Sequence, residues 1–94
     1  MSARLSGLTI GALTLTPAFS GAVTEYTATT TNATNTITAT PEDEAAEISI
    51  LNGTIPVANG SAATWSTGEN TVTIKVENGA AKQTYTIKVT KTGV

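Results

Sequence analysis

The C-terminal third of the chain alternates regularly between apolar and polar side chains. Residues 71–77 carry Val or Ile at every second position, with Thr, Lys and Glu between them, and residues 84–90 repeat this pattern with Tyr85 at its start. A period of two residues is typical of a strand with one buried face. The Asn78-Gly79 pair favours a turn, so the two segments predict an antiparallel hairpin. We expect its loop, residues 77–83, to be longer than a two-residue turn.

Shorter strands are predicted upstream of the hairpin, because β-branched residues recur there between turn-forming pairs such as Asn52-Gly53. Pro56 places one of these segments at a sheet edge, since proline cannot donate a backbone hydrogen bond to a neighbouring strand. Apolar residues never recur at helical spacing over more than two turns, so no long helix is expected. The predicted short strands are 26–31, 36–40, 48–50, 54–57 and 61–66.

The first apolar segment changes the parity of its apolar positions at a glycine. Leu8 and Ile10 share one parity, whereas Leu13 and Leu15 share the other, and Gly11 lies between the two pairs. Residues of one parity face one side of a strand. The change therefore predicts either a β-bulge or a crossing from one sheet to another near Gly11.

About seven short strands separated by close turns predict an all-β fold, an immunoglobulin-like sandwich of two antiparallel sheets. The length, 94 residues, predicts one domain over residues 1–94. We expect the following side chains to point inward: Leu8, Ile10, Phe19, Tyr26, Ile37, Ile48, Ile50, Trp65, Val72, Ile74, Val76, Tyr85, Ile87 and Val89.

Composition removes most catalytic chemistry. The chain has neither Cys nor His, so thiolate catalysis, disulfides, imidazole bases and ordinary zinc sites are excluded. The net charge of −2 has the wrong sign for binding a nucleic-acid backbone, and no apolar run is long enough to cross a membrane. Threonine, with 21 residues, is strongly enriched. Since it alternates with core residues, we expect it to cover the solvent faces of the strands.

Four carboxylates lie close together in the acidic segment at Glu42, Asp43, Glu44 and Glu47. A calcium site and a pair of glycosidase acids are both conceivable there. The spacing lacks the alternating Asp/Asn pattern with a glycine that wraps a loop around calcium, and a domain of this size has little material for a cleft. A solvated surface loop is favoured. We therefore expect no catalytic, metal-binding or cofactor-binding residue and no enzymatic activity.

Trp65, the single tryptophan, has two interpretations. It could form a platform on which a sugar ring stacks, or it could fill space between the two sheets with its N–H hydrogen-bonded. No second aromatic residue lies near it in sequence to build a sugar-binding surface. The core position is therefore favoured.

The order of several short motifs resembles the cadherin-like β-sandwich domain, an immunoglobulin-like module of bacterial and phage surface proteins. The resemblance runs from Leu5 to Lys91. It implies a sandwich fold and a non-catalytic role, and it brings no catalytic or ligand residue to transfer. Trp65 and Lys91 depart from the family pattern, in which an aliphatic residue and an arginine are more usual. The motifs are Leu5, Leu8, Ile10, Leu15-Thr16-Pro17-Ala18-Phe19-Ser20, Tyr26-Thr27, Ile37-Thr38-Ala39-Thr40-Pro41, Asn52-Gly53, Gly68-Glu69-Asn70-Thr71-Val72-Thr73-Ile74 and Tyr85-Thr86-Ile87-Lys88-Val89-Thr90-Lys91.

Two functions follow as hypotheses from this resemblance and from the sequence as it stands. Because the chain begins at Met1 without a visible export signal, we expect a phage decoration protein on the virion surface. Its partner would be a major capsid or tail protein, with host-surface glycans as a further ligand. The alternative is one excised repeat of a bacterial surface adhesin or of a glycan-binding or glycan-active surface protein.

Overall fold

The computed structural model describes residues 3–92, which form eight β-strands and no helix. Every segment that the alternation predicts to be a strand contains one. In this part of the chain there is accordingly no helix that could cross a membrane. The strands are β1 (Leu5–Ile10), β2 (Glu25–Thr30), β3 (Thr34–Pro41), β4 (Glu47–Asn52), β5 (Ile55–Val57), β6 (Ala62–Thr64), β7 (Gly68–Asn78) and β8 (Ala81–Lys91).

The strands form two sheets, with the order β1-β3-β6 in one and β2-β8-β7-β4-β5 in the other. The side chains that alternate inward from both sheets form one buried hydrophobic cluster. This arrangement confirms the predicted two-sheet sandwich. The proline-containing strand β5 lies at the edge of the five-stranded sheet, as expected from its sequence.

One pair of strands corrects the expectation of purely antiparallel sheets. Strand β2 runs parallel to β8, with Tyr26 opposite Ile87 and Thr30 opposite Lys91. All other strand pairs are antiparallel. The reason is topological: β2 and β3 follow each other in sequence but lie in different sheets, so β2 pairs with the last strand instead of with its successor.

The predicted crossing near Gly11 is present. Strand β1 ends at Ile10, Gly11 has a φ of +57°, and an added Cβ there would lie 2.6 Å from the Asn35 amide nitrogen. The chain then reaches the other sheet, where Thr16 and Thr27 exchange two backbone hydrogen bonds of 2.9 and 2.8 Å. The other predicted possibility was a β-bulge. A register shift of this kind also occurs in β1, but it lies between Leu5 and Gly7.

The β7–β8 hairpin is tighter than predicted. Pairing continues as far as Asn78 opposite Ala81, so only Gly79 and Ala80 form the turn, and the expectation of a longer loop is wrong. Gly79 has a φ of +62°, and no residue other than glycine in the described chain has a positive φ. Positive φ at the first central residue alone is the pattern of a type II′ turn.

The core contains nearly all of the side chains predicted to point inward. Twelve of the fourteen are buried, whereas Phe19 and Ile48 are half-buried and pack against the cluster. Phe19 stacks on Tyr26 with ring centroids 5.9 Å apart. It is half-exposed because it belongs to the crossing segment, residues 11–24, and not to a strand of either sheet.

A buried tyrosine connects the two sheets. The Tyr85 hydroxyl of β8 accepts a hydrogen bond from the Leu5 backbone N–H at 3.0 Å and donates one to the Gly21 carbonyl at 2.9 Å. Tyr85 has essentially no exposed surface. One side chain therefore joins the central part of the five-stranded sheet to the start of β1 and to the crossing segment.

Candidate functional site

Trp65 lies in the core, as the sequence favoured. It follows β6, its side chain is only 4% exposed, and its Nε1–H donates a 2.8 Å hydrogen bond to Asn35 Oδ1. Its backbone N–H also bonds the Ala33 carbonyl at 2.9 Å. A buried ring whose single polar atom is already paired has no face left for a sugar, so Trp65 contributes to packing.

The acidic segment divides into one tethered carboxylate and three exposed ones. Asp43 accepts hydrogen bonds from the Ala45 backbone N–H at 3.0 Å and from Asn78 Nδ2 at 2.9 Å. Glu42, Glu44 and Glu47 are exposed. Among residues 3–92, no three acidic side chains converge on a point where they could share a metal ion. The sequence brings these carboxylates close along the chain, but the fold does not gather them into a site.

We predict that calcium does not alter the thermal stability of the protein. A group of carboxylates that is spread over a solvated loop offers too few converging oxygens for an ion that takes six to eight. Melts in millimolar calcium and in excess EDTA should have the same midpoint within about 1 °C. A rise of several degrees in calcium would contradict this, since for a domain of this size it corresponds to about 1 kcal/mol of ion-linked stability.

The two hydrogen bonds to Asp43 predict a pH dependence of stability. The Ala45 N–H first, and then the Asn78 amide, favour the ionised carboxylate and hold the pKa of Asp43 below its usual 3.8. A pKa that is lower in the folded state stabilises the fold at neutral pH, and this contribution is lost as the pH falls through the folded pKa. The urea midpoint of Asp43→Asn should therefore lie below that of wild type at pH 7, and the gap should close at strongly acidic pH.

The control for this experiment is Glu44→Gln, which removes a neighbouring exposed charge. Glu44 has no resolved contact of the kind that Asp43 makes, so its variant should follow wild type at both pH values. A gap between Asp43→Asn and wild type that stays constant from neutral to acidic pH would show that the ionised carboxylate is not the stabilising species.

A shallow depression of about 440 Å³ lies beside the β4–β5 turn. It is bordered by Ile55, which at 66% exposure is the one large hydrophobic side chain that is exposed among residues 3–92. The amides of Asn52 and Asn70 border it too. The Asn52 amide donates to the Thr64 carbonyl, and the Asn70 amide donates to the Ser66 carbonyl. No aromatic ring borders it. The depression therefore lacks a stacking platform for a sugar, and both ends of the Asn70 amide are already bonded to the backbone around it.

The outer faces of the two sheets differ in charge. The strands of the five-stranded sheet carry both signs of charge, mostly at exposed positions. The strands of the three-stranded sheet, β1, β3 and β6, contain no charged residue. The charged residues on the five-stranded sheet are Glu25, Glu47, Glu69, Lys75, Glu77, Lys82, Lys88 and Lys91.

We call the exposed outer surface of the three-stranded sheet the neutral face. Its central strand, β3, displays a row of four exposed threonines at every second position, and Thr9 of β1 lies opposite Thr38. The neutral face consists of Ser6, Thr9, Thr34, Thr36, Thr38, Thr40, Ala62 and Thr64. The threonine alternation in 34–40 is visible in the sequence. The segregation of charge onto the other sheet is not, because it depends on which strands share a sheet.

The two ends of the described chain lie at opposite ends of the sandwich. Arg4 precedes β1, and its carbonyl accepts from the Glu42 N–H, close to the acidic segment. At the other end the Thr92 N–H bonds the Thr30 carbonyl. Thr30 in turn contacts Asn35, next to the end of β1 that is remote from Arg4. The body between them has a long axis of 43 Å and shorter axes of 24 and 17 Å.

Comparison with known protein families identifies the family of the chain. The family model of the cadherin-like beta sandwich domain matches residues 10–92, nearly the whole chain. A search of curated proteins finds no match. The resemblance drawn from the sequence motifs is therefore confirmed.

Proposed function

Since the chain belongs to the cadherin-like beta sandwich domain family, whose domains are typically non-catalytic structural modules, we propose that it is a decoration protein of a bacteriophage virion. Many copies dock on the assembled capsid or tail through one surface and expose the opposite surface to solvent. The partner is a major capsid or tail protein, and no covalent bond is made or broken. Docking stabilises the particle or increases its weak attachment to host-surface glycans.

The observation that carries this proposal is the unequal chemistry of the two outer faces. A module that works alone in solution gains nothing from placing all the charges of its sheets on one face. A module that lies on a surface does, because charged groups are costly to bury and useful when they face water. Five Lys and Arg residues in 94 also leave few sites for trypsin-like proteases, which suits a protein exposed outside a cell.

A specific observation favours the second candidate, one repeat of a bacterial surface adhesin. The described chain begins and ends at opposite ends of the sandwich, which is the geometry that a row of successive domains needs. In that case the domain is a spacer, and its faces are exposed on all sides. The two candidates therefore differ in whether a broad face is buried in the functional assembly.

The test is co-sedimentation with virions of the phage that encodes the chain, grown with the gene deleted. The purified protein should pellet with these particles and saturate at a fixed number of copies per particle. Virions that already carry the chain are the control, because their occupied sites should take up little more. If the protein stays in the supernatant in both cases and pellets with bacterial cells instead, the decoration proposal is wrong and the adhesin repeat replaces it.

A further inference from the structure

We infer that the neutral face is the docking surface, and that it contacts an uncharged area of the particle's shell protein. This inference rests on the proposed function and assigns the side of the molecule that performs it. The candidate surfaces are the two outer sheet faces, since the inner faces form the core. The two faces differ in the free energy that their burial against a partner would cost.

Burial of the charged outer face would be costly. Lys75 and Lys88 are exposed at the centre of that face, on β7 and β8, and Glu25 lies on the neighbouring β2. Each ion must give up its hydration unless the partner supplies an opposite charge at the right place. Long lysine and glutamate side chains also lose more rotamer freedom than most other side chains when they are fixed. Interface centres are correspondingly depleted of Lys and Glu.

Burial of the neutral face requires neither the desolvation of an ion nor the fixing of a long charged side chain. Its threonines are β-branched and already restricted at χ1, so they lose little side-chain freedom on contact. The hydroxyls of Thr36, Thr38 and Thr40 make no hydrogen bond to any other group within residues 3–92, so each can donate to and accept from a partner. The γ-methyl groups beside them supply apolar area. Such a face matches a surface of backbone carbonyls, amides and hydroxyls.

Charge complementarity determines the occupant. A charged side chain on the partner, of either sign, would meet no counter-ion anywhere on the neutral face, because β1, β3 and β6 provide none. It would be desolvated without compensation. The matching area of the shell must therefore be uncharged, and the charged sheet face then points into solvent.

The size of the neutral face shows why many copies are needed. Its three strands have six, eight and three residues, and with about 3.3 Å per residue and about 4.8 Å between strands they cover about 270 Å². A standard stable interface buries about 800 Å² on each partner. One copy alone therefore binds weakly. A shell that offers the same site at every lattice position raises the occupancy if neighbouring copies or a second contact contribute.

The experiment compares a charge placed on each face. Thr38→Glu and Thr38→Lys put opposite charges at the centre of the neutral face, and Thr84→Glu puts the same carboxylate on an exposed threonine of the other sheet, opposite Lys75. Binding of each purified variant to virions grown without the gene is measured by sedimentation. Both Thr38 variants should bind at least 10-fold more weakly than wild type, whereas Thr84→Glu should bind within about 3-fold; a 10-fold loss is 1.4 kcal/mol.

Folding is checked separately through the fluorescence of Trp65. If a Thr38 variant melts well below wild type, Thr9→Glu replaces it, since Thr9 lies opposite Thr38 on the neighbouring strand. The inference is overturned if folded neutral-face variants bind like wild type, or if Thr84→Glu loses binding to the same extent. A failure of the proposed function gives a different result: wild type itself then fails to sediment with the particles.

Discussion

Replacement of Trp65 by alanine is expected to lower the free energy of unfolding by about 3–5 kcal/mol. The indole is almost completely buried and belongs to the hydrophobic cluster between the sheets. Its removal takes away the transfer free energy of a large ring and leaves a cavity that the short strand β6 can close only in part. A domain of this length has a total stability of about 5–14 kcal/mol, so the variant should lose a large part of it.

A second variant, Trp65→Phe, separates the volume of the ring from its hydrogen bond. Phenylalanine fills much of the same space but cannot donate to Asn35 Oδ1, which then keeps only the longer contact of 3.4 Å with the Thr30 hydroxyl. We expect a loss of about 1–2 kcal/mol, because the amide oxygen exchanges a short hydrogen bond for this longer one alone. Urea denaturation followed by far-UV circular dichroism measures both variants, because neither retains the tryptophan fluorescence. A loss below 1 kcal/mol in Trp65→Ala would contradict the core position.

The alternation of apolar residues predicts which segments are strands more reliably than where the strands end. Strands β7 and β8 were evident from the apolar positions in 71–77 and 84–90, yet both continue to the turn at Gly79. The residues that the pattern missed near the turn are Asn78 and residues 81–83, which pair with Asn78, Glu77 and Val76. Gln83 and Ala81 lie where a large apolar side chain would have extended the pattern, but near the end of the sandwich a half-buried polar or small residue is sufficient.

A periodic pattern of apolar residues does not predict which strands pair with each other. The period of two identifies a strand and its buried face, but it carries no information on the direction of the neighbouring strand. Strand β2 pairs with β8, which is about sixty residues away, and the parallel direction follows from the path of residues 11–24 between the sheets. The parity change at Gly11 predicted either such a crossing or a β-bulge, and the positive φ of this glycine is where the strand leaves its sheet.

The neutral face, too, could be predicted from the sequence only in part. A threonine at every second position of 34–40 is apparent in the sequence and predicts a hydroxyl-covered strand face. The neutrality of the whole face depends in addition on β1 and β6 being the neighbours of β3. The sequence also showed four carboxylates close together, but it could not show that one of them, Asp43 in the β3–β4 connection, accepts a hydrogen bond from Asn78 at the end of β7.

Replacement of Tyr85 by phenylalanine is expected to destabilise the fold by about 1–3 kcal/mol although it removes a single oxygen atom. That oxygen accepts from the Leu5 N–H and donates to the Gly21 carbonyl, two groups that are 16 residues apart in sequence. Without it the Leu5 N–H becomes a buried donor without this acceptor, and the cost of leaving such a group unpaired exceeds the value of an average hydrogen bond. The melting midpoint should fall by roughly 5–20 °C.

Tyr26→Phe is the matched control, since it removes the same atom from the other tyrosine. The Tyr26 hydroxyl bonds only the backbone N–H and carbonyl of Ser20, six residues away, at 3.0 and 2.6 Å. Both Ser20 groups lie at an exposed position, where water can replace the hydroxyl, so the loss should be smaller. Urea unfolding of both variants is followed by the fluorescence of Trp65. Equal losses would mean that the bonds of the Tyr85 hydroxyl to Leu5 and Gly21 contribute no more to stability than the local bonds of the Tyr26 hydroxyl.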